Sequence, residues 1–167
     1  MEITLDQLLT SKEQRSKRQL ELIAQYPAST LVCLTVIMPG NVKRNFHSLI
    51  VAQAAMTAMV NAFSSSIVNL EARDLVTGYE AYLTTSLTQR EAKQLACEIE
   101  DEHPLGRLFD IDVITPTGEP IARTSIGCEP RKCLMCDNEA RFCMRNHTHT
   151  QEELHNRIAE LIEDYVQ

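Results

Sequence analysis

The sequence predicts an α/β or α+β fold, in which one mixed, largely antiparallel sheet of four to five strands packs with helices. Three observations carry that expectation. Capping boxes at Thr4–Gln7, Thr88–Glu91 and Thr150–Glu153 each open an apolar stripe with helical spacing. Short β-branched runs, closed by Pro-Gly or Thr-Gly, lie between those stripes. Helical and extended segments alternate along 167 residues, enough chain to bury roughly 70% of its extended surface without a covalent staple.

Taken in order, Leu5, Leu8 and Leu9, then Leu20, Ile23 and Ala24, mark a first helix. Its middle, Ser11–Arg18, is polar and carries Lys12, Arg15, Lys17 and Arg18, which fits either a solvated face or an anion-binding one. Leu31–Met38 is a buried strand closed by Pro39-Gly40. Phe46, Leu49, Ile50, Gln53, Met56, Val60 and Phe63 follow helical spacing and form the main core helix. Ile67–Val76 and Tyr79–Ser86 read as two strands turning about Thr77-Gly78. The Thr88 box opens a helix through Ala92, Leu95, Ala96 and Ile99, which His103-Pro104 ends. Arg107–Thr115 is the clearest strand, and Thr117-Gly118-Glu119 is expected to turn it into a hairpin partner over Ile121–Ile126. Residues 128–149 are irregular and hold four of the six Cys; the Thr150 box then opens a last helix bearing Leu154, Ile158, Leu161, Ile162 and Tyr165.

Composition bounds the function. At 44% hydrophobic and 23% charged the chain is not disordered. Sixteen Lys+Arg against 23 Asp+Glu leave a net charge of −7, which argues against generic binding of nucleic acid or an anionic membrane. Apolar runs reach only about eight residues, far short of a membrane span. Met1–Leu9 lacks the basic and apolar regions of a signal peptide, so the six Cys are expected in a reducing cytoplasm.

Alternation along Arg107–Thr115 puts Asp110 and Asp112 on one strand face, about 7 Å apart at Cα. Two carboxylates so close repel unless a cation sits between them, and Mg²⁺ accepts one or two carboxylates while keeping sites for water and phosphate. Gly106 and Arg107 precede them, the layout of a nucleotidyl-transfer site. The same pair on a strand face turned to water would be a solvated edge.

Cys133, Cys136, Cys143 and His147 give C-x2-C-x6-C-x3-H, with Cys128 and His149 in reserve. Three thiolates and an imidazole suit tetrahedral Zn²⁺. Buried free thiols and redox chemistry stay open beside zinc, and Arg131, Lys132, Arg141 and Arg145 nearby suit polyphosphate or plain solubility. Pro39–Lys43, between a strand and a helix, could hold phosphate. His103 reads as a helix-end cap, and Cys33 and Cys97 as core.

Several strings together resemble one family. They are Pro39-Gly40 with Lys43, Thr77-Gly78 before Glu80, His103–Val113 (HPLGRLFDIDV), Arg131–Cys136 (RKCLMC), and Ala140 through Cys143, Arg145 and His147 to Leu154. This pattern is similar to the citrate lyase holo-acyl-carrier-protein synthases, or apo-citrate lyase phosphoribosyl-dephospho-CoA transferases. The resemblance implies a nucleotidyltransferase-like catalytic core over 1–127, with the Cys/His-rich segment and last helix of 128–167 packed on it as one domain. It implies that a serine of the citrate lyase acyl carrier protein subunit attacks the α-phosphorus of 2′-(5″-triphosphoribosyl)-3′-dephospho-CoA and that pyrophosphate leaves. Asp110 and Asp112 would then hold Mg²⁺, Arg107 and Lys43 would neutralise phosphate charge, and Gly106 would admit the substrate to the backbone. Glu80 would be a third carboxylate, and the Cys/His segment, with or without structural Zn²⁺, would order the domain's end and dock the carrier. The rival expectation is a zinc-stabilised, non-catalytic adaptor that binds an acyl carrier protein.

Overall fold

A computed structural model describes residues 1–167. Thr4 and Gln7 close the first capping box and start α1 (Leu5–Gln25), which stops at Tyr26 ahead of Pro27. Strand β1 (Thr30–Val36) leads to α2 (Phe46–Phe63), capped by Asn45 and Ser48. Strands β2 (Ile67–Leu75) and β3 (Gly78–Thr85) form a hairpin whose two-residue turn, Val76-Thr77, delivers the chain to Gly78 at φ +127°, a conformation that favours glycine. Helix α3 (Gln89–Glu102) carries its Thr88–Glu91 box and ends at His103, before Pro104. A short 3₁₀ turn, Gly106–Leu108, enters β4 (Phe109–Ile114). Helix α4 (Ala140–Asn146) is brief, and α5 (Gln151–Val166) follows from the Thr150–Glu153 box.

The four strands run in the order β2-β3-β1-β4, every pair antiparallel. The expected strand over 121–126 does not form. Pairing continues past β4 only through the Ile114–Pro120 bridge and Ile121 N donating to Val113 O at 2.9 Å. Pro120 has no N–H to extend a ladder, and the chain then coils into a 3₁₀ turn (Arg123–Ile126) that carries Arg123 to Glu100. The free edge of β4 is closed by side chains instead. Ile111 N donates to Glu100 Oε2 at 2.9 Å, and Arg131 Nη1 donates to Phe109 O at 2.5 Å. Edge groups satisfied in this way present no template to another chain.

Alternation divides the sheet between two layers. Val32, Leu34, Ala81, Leu83, Phe109, Ile111 and Val113 face the main core, with Val51, Ala55, Met59 and Phe63 of α2, Ala92 and Ala96 of α3, and Ile158 and Ile162 of α5. Each fully buried aliphatic or aromatic side chain there contributes roughly 1.5–3 kcal/mol. On the other face Leu31, Cys33, Tyr82 and Ile114 pack beneath Leu22 of α1 in a smaller cluster. Only Phe46–Ser66 is long and apolar enough to cross a membrane by length and composition. Its Val51, Ala52, Ala55 and Met59 are core residues, while Gln53, Thr57 and Asn61 face outward, as in the central helix of a globular core.

Candidate active site

With Phe109, Ile111 and Val113 committed to the core, Asp110 and Asp112 must lie on the α1 side of the sheet. Strand register extends them into two rows. Asp110 pairs with Thr35 of β1, and Thr35 with Glu80 of β3; Asp112 pairs with Cys33, and Cys33 with Tyr82. Thr35 Oγ1 donates a long hydrogen bond to Asp110 Oδ2 at 3.4 Å. No Lys, Arg or His of the chain forms an ion pair with either aspartate. Burial, then the Asp110 charge, pushes the Asp112 carboxyl up to about 6. Burial likewise pushes the Cys33 thiol up to about 12, so it sits there as a neutral neighbour.

Glu80 shares this face but not the neighbouring strand: β1 separates β3 from β4. Its carboxylate is 3% exposed and already partnered. Arg15 Nη1 donates to Oε2 at 3.0 Å and the Tyr82 hydroxyl donates to Oε1 at 2.9 Å. Glu80 thus holds Arg15 of α1 over the sheet. Arg18 makes a two-pronged pair with Glu71, at 2.8 and 2.9 Å, and Ser11 meets Thr77 at 2.9 Å. Ser11, Arg15, Arg18 and Leu22 are spaced 4, 3 and 4 apart, one helical face turned to the sheet. That spacing was the available signal for Arg15, a residue absent from the expected site.

The remaining expected residues stand apart from the aspartates. Lys43 Nζ donates to Met38 O at 2.6 Å; burial first, then the charge of Lys12, lowers its pKa. Arg107 Nη1 donates to Cys133 O at 2.9 Å, in a wholly polar pocket shared with Glu100, Asp101, Arg123, Arg131 and Lys132. Neither Asp110 nor Asp112 lines that pocket. Gly106 is buried, and a Cβ there would overlap the Glu100 carbonyl oxygen. It lets the turn before β4 press against the end of α3, so the neighbour its missing side chain admits is protein backbone. Glu100 itself, 4% exposed, binds Arg123 at 2.7 Å and Arg131 at 2.6 Å. In the sequence it is one acidic residue in an acidic helix end.

The Cys/His segment closes on itself. Lys132 and Glu139 bridge, Cys133 N donates to Asn138 O at 2.8 Å, and Ala140 N donates to Arg131 O at 2.9 Å. The donor atoms of Cys133, Cys136, Cys143 and His149 all lie within 4.8 Å of one another, an arrangement that could hold a metal ion. The fourth member is His149, not His147. His147 caps the end of α4 at φ +48°, a left-handed position that stops the helix; it is exposed and is not among the gathered donors. Cys128 stays outside too, 3.9 Å from Gln94 Oε1.

Residues 3–165 match the family described as apo-citrate lyase phosphoribosyl-dephospho-CoA transferase. A Streptococcus pyogenes (serotype M18) protein named "Probable apo-citrate lyase phosphoribosyl-dephospho-CoA transferase" is 34% identical over 167 residues, covering 98% of this chain and 87% of that one. A Shigella flexneri protein named apo-citrate lyase phosphoribosyl-dephospho-CoA transferase is 34% identical over 97% of this chain and 90% of its own. A longer Haemophilus influenzae protein, named Protein CitXG, is 35% identical over 98% of this chain but only 36% of its own length.

Proposed function

The chain belongs to the apo-citrate lyase phosphoribosyl-dephospho-CoA transferase family, and from that membership we propose how its sheet face performs the transfer. It is a transferase that attaches the phosphoribosyl-dephospho-CoA group to apo-citrate lyase. In our reading the acceptor is a serine of the acyl carrier protein subunit and the donor is 2′-(5″-triphosphoribosyl)-3′-dephospho-CoA. The serine oxygen forms a bond to the α-phosphorus, the bond from that phosphorus to the pyrophosphate oxygen breaks, and the serine proton is lost to a base. The observation that carries the site is the Asp110/Asp112 pair, half-buried side by side on one strand face and in no ion pair with a Lys, Arg or His of the chain.

Hard oxygen donors on one rigid strand fit Mg²⁺, which when bound would screen the phosphate charge. Asp110 and Asp112 would hold it, and an aspartate oxygen not engaged with it would take the serine proton. Arg15, fixed by Glu80, is a cation held over the same sheet, while Lys43 and Arg107 would meet the outer phosphates or the departing pyrophosphate. The Cys/His cluster enters as a structural Zn²⁺ site away from the reacting atoms. Six free thiols support a reducing cytoplasm. Nothing in the comparisons favours the non-catalytic adaptor.

The test is mass spectrometry of the carrier subunit after incubation with the triphosphoribosyl donor, Mg²⁺ and this protein. The expected gain is the donor minus pyrophosphate. Asp110→Asn should abolish that gain while the circular dichroism spectrum stays unchanged; modification at a near wild-type rate would remove the aspartates from the mechanism.

A further inference from the structure

We propose that Cys133, Cys136, Cys143 and His149 bind one Zn²⁺ ion, and that this ion fixes the turn that leads into β4 and aims Arg107. Four observations converge on the site. Around a tetrahedral ion with Zn–S bonds of about 2.3 Å, sulfurs lie roughly 3.8 Å apart. Here Cys136 Sγ and Cys143 Sγ are 3.5 Å apart, and all four donor atoms fit within 4.8 Å. His149 Nε2 is buried without a hydrogen-bond partner, and the His149 ring brings a nitrogen within 4.8 Å of the three sulfurs. Met135 N points at Cys133 Sγ at 3.4 Å, a backbone donor that stabilises a thiolate. Cys133 and Cys143 are both buried, out of reach of bulk oxidant.

The link to β4 runs through the same loop. Two residues before Cys133, Arg131 donates to Glu100 Oε2 at 2.6 Å, to Phe109 O at 2.5 Å and to Arg107 O at 3.0 Å. Arg107 returns a bond to Cys133 O at 2.9 Å. The loop and the 106–109 turn therefore clasp each other through two arginines. Few backbone bonds hold the loop by itself, so the ion supplies its order. Without it the Arg131 clasp slackens, and the Ile111 amide loses the fixed Glu100 carboxylate that closes the edge of β4. The metal claim stands on these residues alone; its consequence for transfer rests on the function proposed above.

The experiment uses the full chain. Protein purified without chelator should carry one Zn²⁺ per chain, and stripped protein titrated with Co²⁺ should develop the charge-transfer and d–d bands of a tetrahedral thiolate complex. Cys136→Ser should lose them, His149→Cys should keep them, and His147→Ala should leave them unchanged. In hydrogen exchange, stripping should speed the peptide spanning 105–111 at least about tenfold and leave β1 unchanged, with Zn²⁺ restoring protection. Absence of both zinc and the cobalt bands overturns the site, as does their loss in His147→Ala with retention in His149→Ala. Bound zinc with unchanged exchange over 105–111 overturns the link to β4. Carrier modification, measured separately, reports on the transferase reading and is independent of these spectra.

Discussion

Two groups of side chains that could hold a metal ion, the Asp110/Asp112 pair and the Cys/His cluster, are built on opposite principles. Asp110 and Asp112 sit on β4, paired to β1 on one edge and closed by Glu100 and Arg131 on the other, with Phe109, Ile111 and Val113 locked in the core beneath. Their positions exist without any ion. Cys133, Cys136, Cys143 and His149 sit on loops and the short α4 with a handful of backbone ties, and their donor atoms gather within 4.8 Å of one another. The fold organises the carboxylate pair, whereas in the proposal above an ion on the sulfurs organises part of the fold. On those proposed roles, the difference follows from what each group would do. A reacting centre gains from donors held rigid before substrate arrives, whereas a structural ion contributes its binding energy to folding.

The contrast can be broken most severely at Asp110. Asp110→Asn should cost at least about 10³-fold in transfer rate, since metal-borne charge stabilisation is worth several kcal/mol, with little change in urea midpoint. Retained activity would put the chemistry elsewhere. Glu100→Gln strikes the joint between the two regions. It leaves Arg123 and Arg131 without their buried partner and should cost about 3–5 kcal/mol of stability, read as a lowered urea midpoint with unchanged slope.

A smaller effect, of opposite sign, is expected at Asp112. Its carboxyl is raised from 3.8 to about 6, so the folded chain binds that proton more tightly than the unfolded chain does. Stability in chelator should therefore fall as pH rises through this window and level off above it. Asp112→Asn should erase the fall and leave the metal-free protein about 1–2 kcal/mol more stable at neutral pH, while transfer is lost. A variant with the same pH profile as wild type would assign the titration to another group. The smallest expected effect is at His147. Its exposed ring touches neither region, so His147→Ala should change stability by less than about 0.5 kcal/mol plus any cost at its left-handed backbone, and should leave metal content intact.

Much of the scaffold was legible from local chemistry. The capping boxes at Thr4, Thr88 and Thr150 each start a helix, because Thr and a Glu or Gln three residues on satisfy backbone donors within one turn. The alternation on 109–114 put the two aspartates on one face, because a strand has no other way to place i and i+2. The 121–126 strand expected from local turn chemistry does not form, because the competing attraction, Arg123 for Glu100, joins residues 23 apart in the chain. Spacing favours His147 over His149 as the fourth donor, but His147 forms the end of α4 and His149 joins the cluster. Arg15 lies in a stretch whose sequence fits a solvated or an anion-binding face, and only the sheet beneath it makes Glu80 its partner.

The sequence by itself determined most of the elements, the family and the pairing of Asp110 with Asp112, since these depend on contacts within a few residues or on strings that survive as strings; the 121–126 strand and α4 are the exceptions. Only the tertiary structure decided that Glu80 is spent on Arg15, that Gly106 yields to α3, that Arg107 turns to Cys133 and that His149 completes the sulfur cluster. Each of those outcomes is a contest between partners distant in sequence. Burial and strand order settle such contests, because a charged or polar group taken from water goes to whichever partner the packed elements bring within reach.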